Sequence, residues 1–354
     1  MIAGLERLLL FLLTAASIPP PSFPGKAPAM VRLRSIRTPL SPIPAHRRFV
    51  SAKLAVAVVL VASLAVRPDA AETELEPHRP WMVSFGLVSP SLGMSLYSDG
   101  LAHRVRYSPN NPPHLNLGLW YEGLGGSIGF GSGKLKKDID LETQVLDLQM
   151  FLTFRRIAVD VYWQRYEGYS GEDEEHGTTT LHPAAIMSTQ GVNVYHKLLG
   201  NVDLMALRSP HQERRFLSYL LYAMGSVSHR RFETTEALVP PSQVENYPEQ
   251  ADLGLVDGSN ASLSLGLQLP IHLWLFHFDP TFSFGLGLPI DHVEGRLGES
   301  VGAKVNMKLR SGMAGPAGGV GVNIDADSDA LENADGSTFQ FHSVRIGFEG
   351  SRRF

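Results

Sequence analysis

The chain has 354 residues, 44% of them hydrophobic and 19% charged, with 34 glycines, 17 phenylalanines, 10 tyrosines and no cysteine. That mixture favours closely packed strands and turns over long helices, and it leaves neither a disulfide framework nor a thiolate metal site. The net charge of −4 is uneven: residues 1–71 hold nine Lys or Arg and two Asp or Glu, leaving 22 basic and 33 acidic residues from 72 onward, which argues against general nucleic-acid binding through phosphate contacts.

Two apolar runs precede the main body. The first spans about Leu8 to Ala16. The second, Leu54 to Val66, follows Arg47, Arg48 and Lys53 and gives way to small residues, the pattern of a signal peptide over about 45–71 with cleavage between Ala65 and Ala71. The Pro-, Ser- and Arg-rich stretch from Pro19 to Pro44 reads as disordered; a translation start near Met30 explains the two runs economically, and a long leader with two apolar segments is the alternative. Residues 1–71 are therefore expected to be leader and extension, and 72–354 one domain. The second run is shorter than the roughly 20 residues of a helical anchor.

From residue 80 onward the signal has a period of two, the alternation of a strand with two different faces. His114-Leu115-Asn116-Leu117-Gly118-Leu119-Trp120 sets three leucines against His114, Asn116 and Gly118. Ile128 and Phe130 repeat it after a glycine-rich link suited to a hairpin. Further apolar edges are Ile157-Val159-Val161-Trp163, Val192-Val194, a long one from Leu263 to Leu275, and Phe282-Phe284-Leu286-Leu288. Val301, Ala303, Val305, Met307 and Leu309 stand opposite Lys304, Asn306, Lys308 and Arg310; three cations on one face are costly in lipid but suit a wet interior. Val320-Val322-Ile324 follows, and the last stretch changes phase between Phe341 and Val344, which predicts a bulge. Strands are expected near 82–97, 113–121, 124–131, 144–154, 156–166, 187–198, 214–228, 261–274, 280–289, 300–310, 316–325 and 338–348. Pro270 and Pro289 mark strand ends or interruptions. The fold class is all-β: an antiparallel transmembrane β-barrel of about twelve strands, with ten and fourteen as the neighbouring even numbers. Closure pairs every strand edge, as hydrocarbon requires, and the terminal Phe354 after an aromatic-rich strand resembles an outer-membrane assembly signal.

Candidate sites follow from this frame. Asp160, Gln164, Lys304, Lys308 and Arg310 are expected on the interior face, to shape a pore, to bind a polar solute or to satisfy one another. A connection from Tyr166 to Thr180 carries Glu172, Asp173, Glu174 and Glu175, an acidic solvated loop or a binding surface; the spacing does not match a calcium loop, and no metal site is assigned. Tyr162, Arg165, Tyr166 and Glu167 read as an interfacial aromatic girdle with charged neighbours, or as a ligand surface. A second long loop is expected around Arg231 to Asn260. Ser218, His229 and Asp203 supply the chemistries of a triad, but nothing in the alternation brings them together, so no catalytic residue is assigned. Gly123-Leu124-Gly125-Gly126 lacks the lysine of a phosphate loop, and no cofactor is implied.

Arg106-Tyr107-Ser108-Pro109-Asn110-Asn111-Pro112, read with Leu115 through Gly131, resembles the DUF4421 family of bacterial outer-membrane proteins. The likeness continues through Asp160-Val161-Tyr162-Trp163-Gln164-Arg165-Tyr166-Glu167-Gly168-Tyr169, Gly191-Val192-Asn193-Val194-Tyr195 and Arg215-Phe216-Leu217-Ser218-Tyr219. It implies an exported β-barrel-like domain over about 80–354 and carries no catalytic residues with it. Leu217, Leu220 and Leu221 depart from the pattern by being more continuously apolar. The expected function is an outer-membrane barrel acting as a narrow pore or an organiser of the envelope, with outer-membrane lipids and the barrel-assembly machinery as partners. The alternatives are a surface scaffold that binds an envelope protein or polymer through long loops, and a membrane-embedded hydrolase.

Overall fold

The computed structural model describes residues 81–97, 104–110, 113–121, 123–134, 140–207, 218–247, 254–293, 302–315, 318–332 and 338–353. The expected leader and Phe354 lie outside the described residues. Extended, alternating sequence forms fourteen strands: β1 (Trp81–Tyr97), β2 (Arg104–Pro109), β3 (His114–Tyr121), β4 (Leu124–Gly133), β5 (Thr143–Phe154), β6 (Ile157–Asp173), β7 (Thr178–Gly200), β8 (Leu220–Glu233), β9 (Leu255–Gln268), β10 (Ile271–Leu273), β11 (Phe276–Val293), β12 (Gly302–Gly315), β13 (Gly318–Glu332) and β14 (Thr338–Arg353).

These strands belong to one antiparallel sheet, and its hydrogen bonding runs in a closed circuit. It passes from β1 through β3, β4, β5, β6, β7, β8 and β9 to β11, β12, β13 and β14, and β14 returns to β1 over Met82 to Tyr97. The circuit uses twelve of the fourteen strands. The short links after β3, β5 and β12 fall at the end that holds Trp81 and Arg353, here the near end; the β6–β7 turn and the 234–254 link fall at the far end. β10 is a short hairpin arm on the start of β11, so the apolar edge from Leu263 to Leu275 is the end of β9, the short β10 and a turn, broken at Leu269 and Pro270. Proline cannot extend the ladder.

β2 gives the ring a fork. It pairs with β1 over Met94–Tyr97 and with β6 over Tyr169–Asp173, closing the far-end wall where β3, β4 and β5 do not reach. At the fork β6 shifts register between Glu167 and Tyr169. Gly168 there takes φ +96°, and a Cβ would stand 2.3 Å from the Glu142 carbonyl oxygen, so only glycine fits. Thr143 Oγ1 donates to the Gly168 carbonyl (2.8 Å) and accepts from the Asn110 amide (2.9 Å). Tyr169 donates to the Leu92 carbonyl at 2.9 Å.

The two faces of the ring differ sharply. Phe85 (62% exposed), Leu263 (70%) and Phe284 (62%) point outward with Leu117, Leu119, Ile128, Leu265, Phe282, Leu286, Val305, Met307, Val322 and Phe348. The interior has three layers. Along β8, Leu220, Tyr222 and Met224 join a near-end apolar cluster, Ser226, Ser228 and Arg230 are buried polar residues, and Phe232 joins a far-end apolar cluster. β5 repeats the order with Phe151, Gln149 and Asp147, and Val145, as does β7 with Tyr195, Asn193 and Thr189, and Met187.

Several expectations are corrected by this layering. The segment from Tyr166 to Thr180 is not a loop: β6 runs to Asp173 and β7 starts at Thr178, leaving a turn over 174–177. The 231–260 loop shrinks to 234–254 because β8 and β9 extend into it. The predicted bulge between Phe341 and Val344 is absent, since β14 pairs without a shift there. Phe339 and Phe341 fill the far-end interior while Ile346 and Phe348 face outward; the phase change marks a change of layer. β2 was not expected as a strand.

Candidate functional site

The middle layer carries the interior charge; some of its groups pair with the neighbouring strand, while Arg345–Asp147, Arg230–Asp327 and Lys304–Ser226 join strands that are not neighbours. Lys308, Asp325 and Arg345 stand in one cross-strand row on β12, β13 and β14. Lys308 Nζ lies 2.8 Å from Asp325 Oδ2, and Arg345 donates to Asp147 Oδ2 on β5 at 2.7 Å. Asp147 also accepts from the Tyr166 hydroxyl at 3.1 Å, with His114 Nε2 3.9 Å away. From β8, Arg230 donates to Asp327 on β13 at 3.3 Å and lies 5.3 Å from the Phe341 ring centroid. Lys304 on β12 donates to Ser226 Oγ on β8 at 2.8 Å. Asp160 accepts from Gln149 (2.9 Å) and Asn193 (3.2 Å). A charge held away from water needs such partners, because desolvation otherwise costs several kcal/mol.

Each end of this layer is covered. At the near end, residues 201–207 fold against the interior, with Leu204, Ala206 and Leu207 buried in a short 3₁₀ turn. Arg310, itself buried, donates to the Ala206 carbonyl at 3.0 Å and to the Leu207 carbonyl, and Gln268 donates to the Ala206 carbonyl at 3.2 Å. At the far end Leu238, Val239 and Tyr247 of the β8–β9 link are buried, and the Tyr247 hydroxyl donates to the Leu96 carbonyl at 3.2 Å. Asp173 ties this cover to the β6–β7 turn: it accepts from Ser242 Oγ (2.7 Å), Gln243 Nε2 (2.9 Å), and the amides of Glu175 (3.0 Å) and His176 (3.2 Å). Burial alone raises its pKa, but the donors from Ser242, His176 and Gln243 outweigh that and hold it at about 2. Asp173 lies six residues beyond the outward Arg165–Glu167 pair, outside the apolar outer belt.

Asp160, Gln164, Lys304, Lys308 and Arg310 all lie on the interior face, but at separate points. Arg310 grips the near-end cover, while Lys304, Lys308 and Asp160 have the separate partners given above. The girdle reading of Tyr162 to Tyr169 is corrected: Tyr162 and Tyr166 point inward with Tyr169, the last two fully buried. Arg165 and Glu167 point the other way and pair with each other at 3.0 Å. Glu172, Glu174 and Glu175 are exposed at the hairpin tip, whereas Asp173 is buried. Among the described residues no group of three or more His, Asp or Glu is placed to hold a metal ion. Sequence reasoning missed Asp147, Arg230, Asp327 and Arg345, although alternation alone puts each on an interior face.

Ser218, His229 and Asp203 do not converge. The Ser218 amide donates to the Pro270 carbonyl and Asp203 accepts from the Met205 amide, both at the near end. His229 instead meets Ser259 and Asp257 on the neighbouring strand, each at 3.1 Å.

The fold and interior thus define a closed antiparallel β-ring with an apolar outer face and a covered polar core. No family model and no curated protein sequence matches the chain, so the expected DUF4421 membership is not shown. Among solved structures, the chain is similar to the translocator domain of autotransporter NalP from Neisseria meningitidis, at 10% identity over 88% of this chain and 98% of that one, with a TM-score of 0.41. It is also similar to the β domain of the Bordetella autotransporter BrkA (12% identity, 76% and 99% covered, TM-score 0.34) and to the NanC porin (10%, 73% and 98%, 0.28). At these scores the fold assignment rests on the hydrogen-bond circuit itself.

Proposed function

We infer that residues 81–353 form an integral outer-membrane β-barrel, closed at rest, whose polar middle layer is a narrow route or holding site for a small polar solute. The observation that carries this reading is the division of the two faces. Outward apolar side chains cover far more surface than a water-soluble monomer leaves uncovered, while buried cations and carboxylates pair across the interior. Hydrocarbon outside and a polar, charge-paired core inside fit that division. Signal-directed export, insertion by the barrel-assembly machinery and kinship with the DUF4421 family belong to the same reading.

The covers at both ends argue for gating over a constitutively open channel. In planar bilayers, the full chain is expected to show brief, small conductance steps, and Lys304→Glu to shift selectivity toward cations. If wild type and a variant with the near-end cover loosened both stay silent while folded, the conduit reading falls. A scaffold reading has its own support: Arg345–Asp147, Arg230–Asp327 and Lys304–Ser226 brace the wall from within, and the exposed Glu172, Glu174 and Glu175 offer an acidic tip to a basic envelope polymer or protein.

A further inference from the structure

The outer wall carries a chemical grouping that neither the conduit nor the scaffold uses. On β8, Leu220, Tyr222, Met224, Ser226, Arg230 and Phe232 face inward, so His229 and Arg231 face outward. On β9 the outward set runs Leu267, Leu265, Leu263, Ala261, Ser259 and Asp257. His229 pairs directly with Ser259, and Arg231 with Asp257. His229 Nδ1 is 3.1 Å from Ser259 Oγ, and His229 Nε2 is 3.1 Å from Asp257 Oδ1. A hydroxyl, an imidazole and a carboxylate therefore stand in one line, the hydroxyl hydrogen-bonded to one ring nitrogen and the carboxylate at ion-pair distance from the other, the order in which a nucleophile, its base and an orienting group act.

The surroundings suit the chemistry. Ser259 is 5% exposed and the Asp257 and His229 side chains 14% and 30%, so the hydroxyl and carboxylate are largely shielded from water while the imidazole stays open to the outer face. The third strand is deformed at the same place: β11 shifts register between Pro289 and Asp291, with Pro289 opposite Asn260 and Asp291 opposite Ser259. A bulge interrupts an otherwise regular ladder and re-aims what lies beside it. Arg231, bonded to Glu233 at 2.7 Å, adds a cation on the same face. Ser259 lies four residues beyond Leu263, roughly 13 Å at strand rise, where the apolar belt gives way to polar side chains. The acyl ester carbonyls of a bilayer lie at that boundary.

We propose that Ser259, His229 and Asp257 form an acyl-ester hydrolase site on the outer surface of the barrel, acting on ester-linked lipids of the surrounding leaflet. Ser259 Oγ attacks the ester carbonyl carbon and its proton passes to His229, whose positive charge Asp257 stabilises. The carbonyl–alkoxy bond then breaks, and the leaving alcohol takes the proton from His229. Water, deprotonated by His229, attacks the acyl-Ser259 ester and releases the fatty acid with Ser259 restored. Ser259 and His229 are catalytic residues here, and Asp257 is a positioning residue.

The lipid substrate rests on the outer-membrane reading; the reactivity of Ser259 does not, and the experiment separates them. The full chain is folded in detergent and in phosphatidylethanolamine vesicles, with Ser259→Ala, His229→Ala and Asp257→Asn variants checked for the same heat-modifiable gel mobility. A fluorophosphonate probe is expected to label wild type at Ser259 and to leave Ser259→Ala and His229→Ala unlabelled. Hydrolysis of a short-chain p-nitrophenyl ester in micelles and fatty-acid release from the vesicles should each fall by about 10³-fold or more in both alanine variants. Asp257→Asn should lower both rates and move the pH at which the rate is half-maximal, which a merely structural aspartate would not do. Wild-type rates no higher than those of folded Ser259→Ala, or a label mapped elsewhere, would overturn the site. Ester hydrolysis in micelles with vesicle lipid untouched would overturn the lipid substrate.

Discussion

Arg310 is the group on which closure of the near end turns. Its guanidinium bonds two carbonyls of the 204–207 turn, and of these the Ala206 carbonyl keeps a second donor from Gln268 while the Leu207 carbonyl depends on Arg310. Hydrogen bonds from a charged donor contribute about 1.5–3 kcal/mol each. Replacing Arg310 with Met keeps most of the packed volume and removes both bonds, so the hold on the turn should weaken by about 3 kcal/mol. At about 1.4 kcal/mol per factor of ten, the displaced form of 201–207 becomes on the order of 100-fold more populated. Leu204, Ala206 and Leu207 stay apolar and still favour the interior, so the turn should exchange rather than leave. Hydrogen exchange read by mass spectrometry in detergent or nanodiscs should show faster exchange at 203–207 in Arg310→Met with the β6–β7 strands unchanged, alongside more frequent conductance steps. Unaltered protection at 203–207 in a folded Arg310→Met barrel would refute the assignment of Arg310 as the anchor.

Three further outcomes follow from the same geometry. Arg345→Met leaves Asp147 buried without its strongest partner and should destabilise the barrel by about 3–5 kcal/mol in denaturant unfolding, with much of the loss recovered in the Arg345→Met/Asp147→Asn double variant. Asp173, held at about 2 against an ordinary carboxylate value near 3.8, contributes stability that is complete above pH 4 and is lost as pH falls toward 2. The contribution is at most about 2 kcal/mol, and Asp173→Asn should remove this pH dependence from hydrogen exchange in 241–247. Gly168→Ala should cost roughly 2–3 kcal/mol or prevent folding, since positive φ and a backbone oxygen 2.3 Å from the new Cβ act together. Gly177→Ala, with φ +63° but open space around it, should cost about 1 kcal/mol, and equal effects would contradict the reading of the fork.

The wall of the barrel was legible because alternation reports directly which side a residue faces. Lys304, Lys308 and Arg310 could be put inside before any pairing was known. Layering was harder to read. In β14 and β8 apolar residues occupy both faces, outward in the belt and inward at the ends, and period two cannot tell a bulge from a change of layer. Phe341 and Val344 show how a compartment boundary imitates a register shift. β2 escaped because its partners on β6 lie sixty or more residues away, and a six-residue strand among prolines has no local signature. The Ser259–His229–Asp257 line escaped for a related reason. Ser259 and Asp257 fall within the loop expected over 231–260, yet extending the Leu263–Leu267 alternation backward through Ala261 puts both on the outward face. Only the cross-strand register then brings His229 to them.

A ring over residues 81–353 with lipid outside and a polar interior makes β12 alternate between two environments. The chain has no native cysteine, so single cysteines along β12 can carry spin labels without background. In reconstituted vesicles, collision with oxygen against a water-soluble nickel chelate should alternate with period two: labels at 305, 307 and 309 meet oxygen as lipid-facing sites do, and labels at 304, 306 and 308 do not. A flat profile, or ready contact with the nickel chelate at 305 and 307, would contradict the barrel.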